Sequence, residues 1–170
     1  GPKVKTALWL SAFILLFMSL NVLKQQLFPT QVTVSTSTEI AKTVTKDEFI
    51  KIKSLAELES KIEQARAQNK LVMLDLYAEW CVACKEFEHK TFPAPSVQTE
   101  FKNYLLLQAD LTESDETTIE FMEKFKIFGL PSILFFNQDG EEISAQRVTG
   151  FQDAEEFSAH LKQLSQKQLN

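Results

Sequence analysis

Hydrophobic residues follow one rule near the start of the chain and another over the rest. From Thr6 to Leu23 no residue is charged, and the centre of that stretch reads Ala7-Leu-Trp-Leu-Ser-Ala-Phe-Ile-Leu-Leu-Phe-Met-Ser-Leu20. A membrane helix needs about 20 mostly apolar residues, within a range of about 17–25. The 18 residues here meet it near the short end, so residues 1–27 are predicted to be one transmembrane helix with its flanks. Trp9 sits near one end, where interfacial aromatics are favoured. A secretory signal peptide fits the charge and the apolar core, but no small-x-small cleavage site follows Leu20. A buried core helix that is apolar on every side would need a larger protein around it. Lys3 and Lys5 before the segment against Lys24 after it place the N-terminus in the cytoplasm and the remainder outside. Residues 28–45 are rich in Thr and Ser and read as a polar linker, with a Val/Thr alternation that also suits an edge strand.

From Lys46 onward short apolar runs alternate with helical spacing. Phe49-Ile-Lys-Ile-Lys53 alternates as a strand does. Ser54 and Glu57 have capping-box spacing, and Leu55, Leu58, Ile62 and Ala65 continue at helical intervals to a stop at Asn69. Leu71–Tyr77 is the apolar run of a central strand. A second helix is predicted from Cys81 toward His89, with Pro93 and Pro95 marking its end. Tyr104–Ala109 reads as a buried strand. Thr117–Phe125 reads as a helix whose apolar face is Ile119, Phe121, Met122 and Phe125. Ser132–Phe136 is predicted to be a strand, Asn137–Gly140 a turn, and Glu141–Val148 the returning strand of a hairpin. Asp153 is placed to cap a last helix with Phe157, Leu161 and Leu164 inward. The order β-α-β-α-β-α-β-β-α predicts an α/β three-layer sandwich around a mixed sheet over residues 46–170.

Charge reinforces the division. Residues 1–45 carry four lysines against Glu39, a net +3, and the remaining 14 basic and 22 acidic residues give −8. The overall −5 argues against a nucleic-acid partner held through phosphates. Two cysteines in 170 residues exclude a disulfide-stapled scaffold.

Those two cysteines carry the chemistry. Trp80-Cys81-Val82-Ala83-Cys84-Lys85 lies between a predicted buried strand and a predicted helix. A helix N-terminus leaves backbone N–H groups unpaired and favours a thiolate. Cys81 is therefore expected to be the exposed, attacking thiol and Cys84, one turn deeper, the resolving thiol. Structural zinc needs about four ligands, and the chain offers two Cys with only His89 and His160. Iron–sulfur ligation lacks cysteines for the same reason. Covalent haem attachment needs His directly after the second Cys, where Lys85 stands. A structural disulfide closing so short a loop adds little stability.

Asp75-Leu-Tyr-Ala-Glu-Trp-Cys-Val-Ala-Cys-Lys85 resembles the active-site segment of thioredoxin, and Gly129-Leu-Pro-Ser132 resembles its cis-proline loop. Over residues 47–166 the chain is similar to the C-terminal periplasmic domain of DsbD-type thiol:disulfide interchange proteins. The runs Trp80–Glu88, Gly129–Phe136 and Arg147–Ala154 carry that similarity. The resemblance implies a thioredoxin-like fold preceded by the last helix of a membrane electron-transfer domain, within a longer parent. It implies an enzyme, a protein-disulfide reductase, in the bacterial inner membrane with its redox domain in the periplasm. Electrons would pass from that membrane domain to periplasmic protein partners, including disulfide isomerase and cytochrome c maturation pathways. No cofactor is implied beyond the redox-active Cys81–Cys84 disulfide, and a monomeric head is expected. Val82-Ala83 replaces the Gly-Pro of general thioredoxins, so their reduction potential does not carry over.

Asp75 lies six residues before Cys81 on the apolar strand. A carboxylate buried there is expected to hold a proton more readily than in water and to shuttle it to or from Cys84; an outward, solvated Asp is the alternative. Glu88, four after Cys84, shares the cysteine face, where its charge would disfavour the thiolate, or else it is a solvated helix residue. Pro131 is expected to be cis because the family loop is, presenting the Leu130 backbone to a partner as a short strand pairing. Trp80 and Phe87 are candidates for the docking surface or for the core. Lys85 is four residues after Cys81 and either favours its thiolate or is solvated. Glu86, His89 and His160 are expected at the surface. Two further readings stay open: a membrane-anchored thiol oxidase or isomerase on the same fold, and a non-catalytic thioredoxin-fold binding module.

Overall fold

The computed structural model describes residues 48–169. The predicted membrane segment and the linker lie outside them, and no described helix is long and apolar enough to cross a membrane.

Local sequence sets most of the element boundaries. Strand β1 is Ile50–Ile52. Helix α1, Leu55–Ala67, begins where Ser54 Oγ accepts from the Glu57 N–H at 3.2 Å. The Glu57 carboxylate reaches one residue further back than a capping box requires, and accepts from the Lys53 N–H at 2.7 Å. The helix stops as Asn69 takes a left-handed φ of 55°, a conformation that Asn tolerates better than most residues. Strand β2, Leu71–Tyr77, is buried at all seven positions. Helix α2 is Val82–Glu86, and a π-helical turn, Phe87–Thr91, continues it. Helix α3, Pro95–Phe101, opens on a proline, which at the first turn forfeits no hydrogen bond.

Strand β3 is Tyr104–Asp110, helix α4 is Glu116–Phe125 and strand β4 is Ser132–Phe136. Strand β5 is only Val148–Thr149, and helix α5 is Ala154–Leu169. Asp115 and Asp153 cap α4 and α5, accepting from Thr118 N–H at 2.8 Å and Glu156 N–H at 2.9 Å.

The sheet runs β1-β3-β2-β4-β5. β1, β3 and β2 are parallel, and β4 and β5 are antiparallel additions. Alternate residues of β2 feed two cores. Leu71 and Met73 pack with Phe87, Phe92, Phe157 and Leu161 on one face. Val72, Leu74 and Leu76 pack with Leu58, Ile62, Phe121 and Phe125 on the other. The α2 segment, α3 and α5 thus cover one face while α1 and α4 cover the other, which is the three-layer arrangement expected.

Four expectations need correction. Helix α3 begins at Pro95, where Pro93 and Pro95 are expected only to end the preceding helix. The segment Glu141–Val148 is not a continuous strand: it makes one bridge, Phe136 to Glu142, then turns through a 3₁₀ segment, Ser144–Gln146, and pairs again only at β5. Its residues are mostly polar, and only Ile143 and, at its end, Val148 pack on the core, so little burial holds its middle against the sheet. Ile119 is 53% exposed, and Thr118 takes the inward position instead. His160 is half-buried, its ring 5.3 Å from that of Phe135 and one ring nitrogen 3.0 Å from the Gln146 carbonyl oxygen.

Phe157 is fully buried and joins α5 to the aromatic cluster under the redox helix. Phe157→Ala is expected to lower unfolding stability by about 3–5 kcal/mol in a urea titration. Burial lowers the His160 proton affinity, so the unfolded chain binds that proton better. The corresponding stability is present above the ordinary histidine pKa of about 6.5 and is lost as pH falls toward the folded-state value. Urea titrations across that window should show a weaker pH dependence for His160→Gln than for the parent chain.

Candidate active site

Strand β2 is buried to its last residue, and the chain then turns over Ala78, Glu79 and Trp80 into α2. Cys81 is the N-cap residue, its own N–H bonded to the Ala78 carbonyl at 3.0 Å. The Cys84 N–H points back at the Cys81 sulfur, 3.1 Å away. Cys81 and Cys84 form a disulfide with their Cα atoms 5.3 Å apart. The three-residue spacing on one helical turn therefore suffices to close the pair.

Cys81 was expected to be exposed, yet the bonded residue is only 5% exposed and Cys84 2%. Tyr77, Ala78 and the half-buried Leu130 pack around them. The Leu130–Pro131 peptide is cis. The Pro131 carbonyl accepts from the Gly150 N–H at 3.2 Å, and Ser132 Oγ donates to the Gly129 carbonyl at 2.8 Å.

Apolar side chains remain in solvent beside this buried pair. Trp80 is 64% exposed with its indole N–H donating to the Thr112 carbonyl at 3.2 Å. Val82 is 75% exposed, and Phe128, two residues before Leu130, is 95% exposed. Phe87 belongs to the core instead, 1% exposed and in ring contact with Phe92, Phe151 and Phe157. Lys85 pairs with Glu79 at 3.2 Å and Glu86 with Lys90 at 2.6 Å; His89 is exposed.

Asp75 is 2% exposed in the middle of β2, on the face that carries Leu71 and Met73 and so toward the redox helix. Its Oδ2 accepts from Gln108 Nε2 at 2.7 Å. The same amide nitrogen lies 3.3 Å from Glu88 Oε1, on the π-helical turn. Gln108 thus joins two predicted carboxylates that are thirteen positions apart in sequence. Its one signal in the sequence is a lone amide in the apolar run Leu105-Leu-Leu-Gln-Ala109, with no motif around it.

A disulfide at a helix start, following a buried strand and faced by a cis-proline loop, matches a known arrangement. Residues 58–165 match the family described as Thioredoxin-like domain. The chain belongs to the thioredoxin-like family. Within it, the chain is 44% identical over 153 residues to the thiol:disulfide interchange protein DsbD of Colwellia psychrerythraea, covering 89% of this chain and 24% of that protein. It is 51% identical over 114 residues to DsbD of Klebsiella pneumoniae, covering 67% of this chain and 19% of the relative. The chain therefore spans about a quarter or less of the length of these curated relatives. Among solved structures, the oxidised DsbD C-terminal domain of Neisseria meningitidis superposes with a TM-score of 0.57 at 26% identity, over 68% of this chain and 97% of that one. A Thermus thermophilus thioredoxin shares the fold, with a TM-score of 0.53 at 20% identity over 69% of this chain and 87% of that one.

In this thioredoxin-like domain the Asp75–Gln108 contact is a buried bond between an amide and a carboxylate. Such bonds contribute about 1.5–3 kcal/mol when the acceptor is charged. Gln108→Leu is expected to lose that much in chemical denaturation at neutral pH. The loss should shrink in an Asp75→Leu background, because both changes remove one shared bond.

Proposed function

We propose that this domain is a thiol:disulfide oxidoreductase that works as a reductase, passing electrons between protein partners by dithiol–disulfide exchange. The observation that carries the reading is the Cys81–Cys84 disulfide at the helix N-cap, packed against Leu130 of the cis-proline loop. The naming of its relatives as thiol:disulfide interchange proteins supports it.

In the reduced form Cys81 is the nucleophile. Its thiolate receives the Cys84 N–H directly, in addition to the positive end of the helix. It attacks one sulfur of a partner disulfide, and the second partner sulfur leaves as a thiolate. The Cys84 thiol then loses its proton and attacks the Cys81 sulfur, forming the internal disulfide and releasing the partner's other thiolate. Two electrons pass to the partner and two protons follow them. Asp75 is the group proposed to take the Cys84 proton, and Glu88 to moderate thiolate formation at Cys81. Trp80, Leu130 and Pro131 are the proposed partner-binding residues, with the exposed Trp80 and Val82 supplying an apolar rim for a protein rather than a small substrate. The reduced Cys81–Cys84 dithiol itself carries the two electrons, so the reading assigns no cofactor.

The wider setting is carried by the resemblance. Residues 1–27 would anchor the domain in the bacterial inner membrane and residues 28–45 would tether residues 46–170 in the periplasm as a monomeric head. Electrons would arrive from a membrane domain of the same parent protein. They would leave for periplasmic partners that feed disulfide isomerases and cytochrome c maturation.

Removing the resolving thiol arrests exchange at its covalent midpoint. A Cys84→Ala chain in an oxidising periplasm is expected to accumulate mixed disulfides through Cys81, visible as reductant-sensitive adducts on a denaturing gel. The Cys81→Ser, Cys84→Ala double variant should accumulate none. An absence of adducts from Cys84→Ala would contradict the reading.

A further inference from the structure

Three polar side chains lie in register across the side of the sheet that faces the redox helix. Lys51 on β1 is opposite Gln108 on β3, and Gln108 is opposite Asp75 on β2. The Lys51 ammonium donates to Gln108 Oε1. Gln108 Nε2 donates to Asp75 Oδ2 at 2.7 Å and to Glu88 Oε1 at 3.3 Å. Gln108 is 1% exposed, whereas Lys51 stands at the solvent edge of the sheet.

Charge fixes the orientation of this amide. Turned over, it would aim its oxygen at two carboxylates and its N–H groups at an ammonium, losing every contact. In the observed orientation both amide hydrogens serve carboxylates and the oxygen serves a cation. Polarisation along such a chain strengthens each bond, more so in a buried setting. A neutral residue therefore links a surface cation to the two carboxylates on the cysteine side of the sheet.

We propose that Gln108 and Lys51 are positioning residues for the dithiol: Gln108 gathers the Asp75 and Glu88 carboxylates beneath the redox helix, and Lys51 offsets part of their negative charge. The proposal rests on the thiol–disulfide reading above. The other charged or titratable groups on this side of the sheet include Lys53 after β1, Tyr77 on β2, Tyr104 and Asp110 on β3, Cys84 and Lys85 on the helix above, and His160 on α5. Tyr104 donates to the Leu161 carbonyl at 2.7 Å, at the far end of β3 from the cysteines. Lys85 is engaged by Glu79 at 3.2 Å. Asp110 Oδ1 accepts from the Thr112 N–H at 3.0 Å, beyond the row of three. Lys51 is thus the cation whose removal acts on the carboxylates through Gln108. Negative charge left uncompensated near a thiol disfavours the thiolate, which sets the sign of the effect.

The test uses the reduced full-length chain and the rate of Cys81 alkylation by iodoacetamide as a function of pH, beside the thiol–disulfide equilibrium with glutathione. Lys51 is exposed, so its replacement leaves the core undisturbed. Lys51→Met is expected to move the alkylation curve to higher pH by about half a unit, or about threefold in rate at fixed pH, the scale of one partly solvated charge. Lys51→Glu should move it further the same way, and Lys51→Arg should restore the parent curve. In a Gln108→Leu background the Lys51→Met change should have a smaller effect, because the ammonium loses its bond to the Gln108 oxygen. Curves for Lys51→Met and Lys51→Glu that coincide with the parent overturn the proposal, as does an equal shift for Lys51→Arg and Lys51→Met. A parent chain that neither alkylates at Cys81 nor equilibrates with glutathione would overturn the thiol–disulfide reading instead.

Discussion

A carboxylate in the middle of a strand buried on both faces is the constraint around which this domain is built. Asp75 occupies that position in β2, with Leu74 and Leu76 as its fully buried neighbours. A buried charge left without partners would cost several kcal/mol, so the adjacent strand must present a donor at the matching register. The parallel pairing of β2 with β3 puts Gln108 there. The same strand then delivers the chain, six residues after Asp75, to Cys81 at the cap of α2. Carboxylate and disulfide are therefore fixed by one element, and neither can move without shifting the register of the sheet.

The surroundings divide the work between holding and reacting. Two separate apolar cores clamp β2, one under the redox helix and one under α1 and α4. The Cys81–Cys84 loop is too short to contribute much chain-entropy stabilisation, so the cores hold the fold and the disulfide is free to open and close. Exposed Trp80, Val82 and Phe128 run against the burial seen elsewhere. Apolar groups left in solvent beside a reactive pair suit a surface that another protein covers.

Much of this was legible in the sequence because local signals and tertiary burial agreed. The run Leu71–Tyr77, the Ser54 and Asp153 caps and the Asn137–Gly140 turn all read correctly, since each depends on its own residues. The CxxC position followed from its place between a buried strand and a helix, the cis form of Pro131 from resemblance, and the geometry bears both out. Helix α3 was hidden by the two prolines at its start, although Val97 and Phe101 at helical spacing both point inward. The return toward β5 looked like a strand only because its partner β4 is one; its own polar residues give the sheet little to hold. Ile119 and Thr118 exchanged places because a threonine hydroxyl found the Glu113 carbonyl at 2.6 Å and became buriable. Gln108 and Lys51 carried no motif. Their roles arise from the register among three strands that are far apart in sequence, which no single-chain periodicity encodes.

The central claim is that Cys81 and Cys84 form a working redox couple that acts as a reductant. It is tested most directly by titrating the chain against glutathione redox buffers and following the thiol–disulfide ratio by alkylation and mass. The account predicts one two-electron transition at a potential well below about −120 mV, the value of a strongly oxidising thioredoxin-fold protein. A transition at or above that value would contradict it and make the domain an oxidant, and the absence of any reversible transition would remove the couple altogether.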